Sequence, residues 1–183
     1  MKRKLLFGFT ALLVTSFTAQ AQWPGKNNQT GQVLLPNGWK LSPKGTSLPL
    51  GDLPLNIQLS TSGKMLAVTN NGQSTQSIQL IDPVNEKLID EKEIGKLWYG
   101  LQFSHNDKHL YASGGNDNWI IDFAIKDNKL VPADTIKLAP GAYPKDKVCA
   151  TGIAVNKANT LLYTVTKEDN SLYIVDLTSR QIK

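Results

Sequence analysis

Three stretches of this chain lie over one another without gaps through two successive alternating segments, and this internal repetition restricts the fold more than any other feature. Leu55, Ile57, Leu59 and Leu66 in the first stretch match Tyr99, Leu101, Phe103 and Leu110 in the second. They match Thr151, Ile153, Val155 and Leu162 in the third. Spacing is kept while identity drifts, as expected of small sheet units that must pack on one another. Period-two alternation, as in Leu55, Ile57 and Leu59 against Asn56, Gln58 and Ser60, predicts strands with one face buried on a neighbouring sheet. Repeats of roughly 40 to 50 residues built from such strands read as β-propeller blades.

Four strands are expected per blade. In the first blade, Leu55 to Leu59 is the inner strand, Thr61-Ser62-Gly63-Lys64 the turn and Met65 to Thr69 the return. Ser77 to Ile81 is the third strand, and Leu88 to Ile94 is a charged fourth strand whose Lys and Glu residues discourage edge pairing. The second blade repeats the plan with Tyr99 to Phe103, Leu110 to Ser113, Trp119 to Phe123 and Lys129 to Leu138, where Pro132 marks an edge or a bulge. The third has Thr151 to Val155, Leu161 to Val165 and Leu172 to Asp176, then a turn at Thr178-Ser179-Arg180, with Gln181-Ile182-Lys183 where a fourth strand should begin. The fold expected is all-β: an incomplete β-propeller of four-stranded antiparallel blades, about three blades of a seven-bladed ring. Blades fall at about 54–95, 98–138 and 150–183, within a partial propeller over 33–183. Without ring closure the first and last sheets should each expose an apolar face, which predicts a sticky, marginally stable or oligomeric product.

The N-terminus reads as an address rather than as structure. Lys2, Arg3 and Lys4 precede a short apolar run from Leu5 to Val14, and Ala19-Gln20-Ala21 fits a small-x-small cleavage signal. The run is shorter than the roughly 20 apolar residues a membrane span needs. Residues 1–21 are therefore expected to be a secretory signal peptide, placing the mature chain in the periplasm or outside the cell with no stable membrane insertion. Residues 22–32, rich in Gly, Asn and Gln, read as a flexible lead-in. Val33-Leu34-Leu35 follows as a short strand, then a turn at Pro36-Asn37-Gly38, the extended piece Trp39-Lys40-Leu41 and a second turn at Ser42-Pro43-Lys44-Gly45.

Removing the signal changes the charge. The chain has 20 Lys and Arg against 15 Asp and Glu. Three of the basic residues lie in the signal, which leaves 17 against 15, an ordinary surface. The remaining Lys are scattered rather than striped with aromatics, so nucleic acid is not an expected partner. One cysteine, Cys149, allows no intrachain disulfide; between Val148 and Ala150 it reads as a small buried hydrophobe.

The phrase Asn70-Asn71-Gly72 after Ala67-Val68-Thr69, the strand end Ile81-Asp82 and its echo Leu172-Tyr173-Ile174-Val175-Asp176 resemble the YVTN-type β-propeller repeats of exported and surface-layer bacterial proteins. The opening Leu35-Pro36-Asn37-Gly38-Trp39, with Leu48-Pro49-Leu50-Gly51-Asp52-Leu53-Pro54, looks like the start of two-part bacterial proteins. In those, an N-terminal propeller precedes a phosphoesterase of the alkaline phosphatase superfamily. The resemblance implies that any hydrolytic metal site lies outside these residues, and it carries no catalytic residue onto them.

Chemistry-bearing patterns are few. His105 and His109 are four apart, but the repeat places one in a turn and the other on a strand, so they should not converge on a metal. Asp82, Asp122 and Asp176 look like one recurring position at the end of the third strand, expected to bond a neighbouring turn. Gly114-Gly115-Asn116-Asp117 leads into a strand rather than a helix and lacks the helix N-terminus of a phosphate cradle. No Gly-x-Ser-x-Gly elbow occurs, and Lys167-Glu168-Asp169-Asn170 lacks the spacing of a calcium loop. No cofactor is expected, and a cofactor-dependent propeller lyase or dehydrogenase is the weakest reading.

What remains is recognition. Loops on a rigid frame commonly carry binding groups. Here they are Asn70 to Gln76, Gly114 to Asn118 and Thr166 to Asn170, with the links between blades beside them. The candidate binding residues are Asn70, Asn71, Trp98, Gly115, Asn116, Asp117, Tyr143 and Lys167. Amides offer paired donors and acceptors, and Trp and Tyr add apolar area. Such a surface suits a protein, peptide or glycan ligand, or a C-terminal domain of a longer parent.

Overall fold

The computed structural model describes residues 23–42 and 44–183; the signal-peptide reading of 1–21 and Pro43 of the second turn lie outside them. The chain divides into two compact units, up to Ser47 and from Leu48 onward. In the first, β1 (Gly25–Lys26), β2 (Val33–Leu34) and β3 (Lys40–Leu41) form a small antiparallel sheet. The expected turn closes it: Gly38, at φ 83°, donates to Leu35 O at 2.9 Å. β1 falls inside the stretch that composition assigns to a lead-in, because Gly31 and the Asn27 side chain fold it back onto Val33 and Leu34.

The second unit consists of three four-stranded antiparallel meanders. The first blade is β4 (Pro54–Leu59), β5 (Leu66–Asn70), β6 (Ser77–Asp82) and β7 (Lys87–Glu93). The second is β8 (Leu101–Phe103), β9 (His109–Ser113), β10 (Trp119–Lys126) and β11 (Lys129–Lys137). The third is β12 (Ala150–Val155), β13 (Leu161–Thr166), β14 (Leu172–Asp176) and the short β15 (Gln181–Ile182). The gapless alignment reappears as ladder register. Leu59 pairs with Leu66, Phe103 with Leu110 and Val155 with Leu162. Pro132 sits at a bulge, where Asp122 pairs with Asp134 and Phe123 with Pro132, leaving Ala133 unpaired.

Two cores lie between the blades. Ala67, Ile78 and Leu80 of the first blade meet Leu101, Phe103, Leu110 and Phe123 of the second. On the second blade's other face, Tyr111, Ile120 and Ile136 meet Val155, Leu162 and Val175 of the third. Each interface therefore takes the β8-type face of one blade and the opposite face of the blade before it. Gly100 marks how close the backbones come: a Cβ there would sit 2.1 Å from Thr151 O. Any side chain would force the second and third blades apart.

The expected burial of the first inner strand does not hold. Ile57 and Leu59 are 58% and 57% exposed. Their counterparts Leu101 and Phe103 are covered by the preceding blade, whereas no blade precedes β4 among the described residues. The face is partly crossed by the segment before it, with Gly51 N–H donating to Gln79 Oε1 at 3.3 Å. At the far end Val165 and Leu172, directly paired on the outer face of the third blade, are 50% and 59% exposed.

The recurring aspartates also need correction. Ile81 pairs with Leu66 and Val175 with Leu162, so Asp82 and Asp176 are equivalent; Phe123 pairs with Leu110, so the equivalent in the second blade is Ala124. Asp82 and Asp176 cap their own turns, accepting from Val84 and Asn85 N–H and from Thr178 and Ser179 N–H. Asp122 lies two positions earlier and is fully buried between blades. Its Oδ1 is 2.7 Å from His109 Nδ1. Its Oδ2 is 2.7 Å from Arg180 Nη2 of the third blade, an ion pair outside hydrogen-bond angles. The two histidines diverge: His105 Nε2 lies 3.2 Å from Val155 O, away from the His109–Asp122 pair.

Candidate functional site

The loops that follow the second strand of each blade gather at one end of the sheets with the links between blades. A hollow of about 270 Å³ opens there, lined by Asn71, Gln76, Gly95–Trp98, Gly114–Asn116 and Lys167. All three blades contribute. Asn71, Gln76, Gly95 and Trp98 also line an adjoining hollow of about 680 Å³ that runs along the loop Gly72–Thr75.

Backbone bonds and buried amides fix these loops. Asp52 holds the first: its Oδ2 accepts from Gln73 N–H at 2.8 Å and Ser74 N–H at 3.1 Å. The Ser74 N–H, with help from Gln73 and the Ser74 hydroxyl, keeps the Asp52 carboxyl below the usual carboxylate range despite its partial desolvation. Gly72 needs to be glycine, because a Cβ would fall 2.1 Å from the Asp52 carboxylate. Gln76 Oε1 accepts from Leu97 N–H at 2.8 Å and so ties the loop to the link carrying Trp98. Trp98 N–H donates to Ser113 O at 2.9 Å. Trp98 borders Gly115, whose φ of +52° suits glycine and where a Cβ would fall 3.0 Å from Trp98 Cβ.

The predicted binding residues separate into groups. Asn71, Trp98, Gly115, Asn116 and Lys167 share the hollow. Asn70 is buried on β5 and donates to Ser77 Oγ at 3.2 Å. Asp117 faces Lys96 at 3.3 Å, and Tyr143 is half exposed on the second link, its N–H donating to Asn116 O at 2.8 Å. Gln76, the end of the first loop named from the sequence though not singled out there, and Lys96, which the sequence did not flag, also line the hollow. Asn118, the end of the second named loop, is fully buried at φ 57°; its amide donates to Gly141 O and Asp146 O at 2.8 and 2.6 Å and accepts from Cys149 N–H at 2.7 Å, a role the sequence did not show. Asn118 thereby pins the link 139–149 beneath the site. Cys149 is buried as expected, and burial pushes its thiol up.

The chemistry of the hollow is that of a binding surface. Trp98, 39% exposed, offers an aromatic face. Asn71 Oδ1 is a buried acceptor with no partner among the described residues. The Lys167 ammonium lies 2.9 Å from Glu168, which, with the Cys149 and Tyr143 groups nearby, holds its pKa up. Among the described residues no group of three or more His, Cys, Asp or Glu is placed to hold a metal ion.

No protein-family model matches this chain, and no curated protein matches it. Solved structures do. A hydrazine synthase chain of Kuenenia stuttgartiensis is 16% identical, with a TM-score of 0.60 over 76% of this chain and 37% of its own. The β-propeller domain of Cps50 (Swd1) from Myceliophteria thermophila is 18% identical, with a TM-score of 0.57 over 84% of this chain and 50% of its own. A functionally unknown protein from Desulfotomaculum acetoxidans is 17% identical, with a TM-score of 0.59 over 83% and 48%. The chain thus spans half or less of the length of these proteins. One is an enzyme, one a propeller domain and one of unknown function, and at such identities the likeness concerns the fold alone. The fold is that of a β-propeller, here present in part.

Proposed function

We propose that this chain is a non-enzymatic recognition module, exported by its N-terminal signal, which binds an extended polar ligand, a peptide or a glycan chain, at the loop end of its blades. The observation that carries the reading is the convergence of Asn71, Trp98, Asn116 and Lys167 from three blades on one hollow, with Trp98 itself 39% exposed. A flat apolar ligand face stacked on Trp98 would add contact area at little entropic cost. The frame is already set by backbone bonds, so binding would order little.

The test is ligand screening by NMR, with the Trp98 indole N–H resonance as reporter and separate peptide and saccharide libraries. Binding should shift that resonance. Trp98→Ala, followed by titration calorimetry because it removes the reporter, and Asn71→Ala should each weaken binding about tenfold or more while the backbone amide spectrum of the folded blades is kept. A ligand that binds equally well to both variants would refute the assignment of the site. Export is checked by N-terminal sequencing of protein recovered outside the cytoplasm, which should begin at Gln22.

A second reading is favoured by the phrases Leu35–Trp39 and Leu48–Pro54: the chain forms the N-terminal propeller part of a YVTN-type protein with a phosphoesterase domain. Sequencing the gene beyond Lys183 decides it, through the presence or absence of further blades and a metal-dependent hydrolase.

A further inference from the structure

The turn between the first two strands of each blade has one geometry repeated three times. Gly63 N–H donates to Ser60 O, Asp107 N–H to Ser104 O and Asn159 N–H to Asn156 O, at 2.9, 3.0 and 2.8 Å. The three residues share the left-handed region at φ 70°, 56° and 56°. In two of them the side chain reaches back to the preceding blade. Asp107 accepts from Thr61 N–H at 2.7 Å and from Ser62 N–H at 2.8 Å. Asn159 accepts from His105 N–H at 2.7 Å. Asn and Asp tolerate the left-handed conformation better than other non-glycine residues, so one position provides both the turn and the clasp.

The series is open at both ends, but not in the same way. At the first blade the position is Gly63, which has no side chain to reach back with. At the third, Lys157 and Ala158 correspond to Thr61 and Ser62; both are exposed, and their N–H groups have no acceptor among the described residues. Beside them lies the sheet face bearing the exposed Val165 and Leu172, with Tyr163 and Ile174 paired on the same face.

We propose that the outer face of the third blade receives a further four-stranded blade, whose first turn carries Asp or Asn at the left-handed position and clasps the N–H groups of Lys157 and Ala158. The argument is continuity: the same clasp, on the same face and from the same turn position, already joins the first blade to the second and the second to the third. A second copy of this chain is not the intended occupant. It would offer Gly63 at the clasp, and the face of its first blade already carries Gly51 against Gln79. The clasp sets polarity, because it points from each blade only toward the one before. It also selects among apolar faces that hydrophobic contact alone would treat alike. The inference is independent of the ligand hollow at the other end of the sheets.

Amide hydrogen exchange tests it, first in the full chain as it stands. Thr61, Ser62 and His105 should exchange about tenfold or more slowly than Lys157 and Ala158. Asp107→Gly should release Thr61 and Ser62, and Asn159→Gly should release His105. If neither substitution changes its donors, the clasp has no energetic content and the proposal fails. Next, the chain is continued after Ile182 with a copy of residues 89–138. Asp82 pairs with Lys87 and Ile81 with Leu88, as Asp176 does with Gln181 and Val175 with Ile182, so the graft completes β15 in register and adds a blade with its own Asp107. Lys157 and Ala158 should then slow about tenfold, and the same extension with Asp107→Gly in the copy should leave them fast. Equal protection by both extensions, no slowing in either while His105 stays protected, or slowing caused by self-association of the unextended chain would each overturn it.

Discussion

At the scale of single residues, the polar groups that matter most are those between blades. Asn118 makes three hydrogen bonds with no exposure to water, so Asn118→Ala should lower stability by about 2–4 kcal/mol in urea unfolding. Removing Asp122 would leave Arg180 and His109 facing a buried gap, and Asp122→Ala should cost about 3 kcal/mol. Asp107 adds a pH dependence of definite sign. Burial raises its carboxyl, but the Ser62 and Thr61 donors outweigh that, so its folded pKa lies below the ordinary 3.8. A lowered folded value stabilises the protein above the ordinary carboxylate range, and the stabilisation is lost as the pH falls through the lowered value. Urea titrations below about pH 4 should therefore show a shallower loss of stability in Asp107→Asn than in the parent, because the amide keeps an acceptor without titrating. Of these roles only one is legible in sequence, that Asp122 meets a neighbouring turn, where Arg180 stands. In the sequence Asn118 ends a candidate binding loop and Asp107 lies in a turn without distinction, and Asp122 matches Asp82 and Asp176 only by its place near a strand end, two positions from the register that the pairings show.

At the scale of strands and blades, spacing was the reliable signal. The apolar beats that align without gaps are the residues that pair across the ladders, since insertions within a hairpin would break register and turn side chains to the wrong face. Exposure was less legible. Alternation reports that a strand has an apolar face, not that a neighbour covers it, and so Ile57 and Leu59 resembled their buried counterparts. Equivalent positions should accordingly answer differently to mutation. Leu101→Ala should cost about 2–5 kcal/mol by opening a cavity between blades, while Ile57→Thr should stay within about 0.5 kcal/mol of the parent. The candidate site was half legible for a related reason. Loops could be named from Asn and Gly clusters, but which of their side chains converge depends on the stacking of blades, and that is what brings Gln76 and Lys96 beside Trp98.

At the scale of the whole molecule, the three blades form two cores in series rather than one, each shared by a pair of neighbours. Stability in such an arrangement is close to a sum of units and interfaces, so exposed end faces are the natural sites of association. Sedimentation at rising concentration should show unspecific association that weakens when Val165 and Leu172 are both replaced by Ser, while Lys157 and Ala158 exchange as fast in the associated as in the dilute protein because a second copy brings no clasp. The serial arrangement is the claim on which the clasp, the hollow and the buried Asp122 all depend. Methyl–methyl and methyl–aromatic nuclear Overhauser effects in a selectively labelled sample test it directly. Ile78 and Leu80 should contact Leu101 and Phe103, Ile120 and Ile136 should contact Leu162 and Val175, and the first set should show no contact with the last. Cross-peaks joining Ile78 or Leu80 to Leu162 or Val175 would mean a single shared core and would contradict the account.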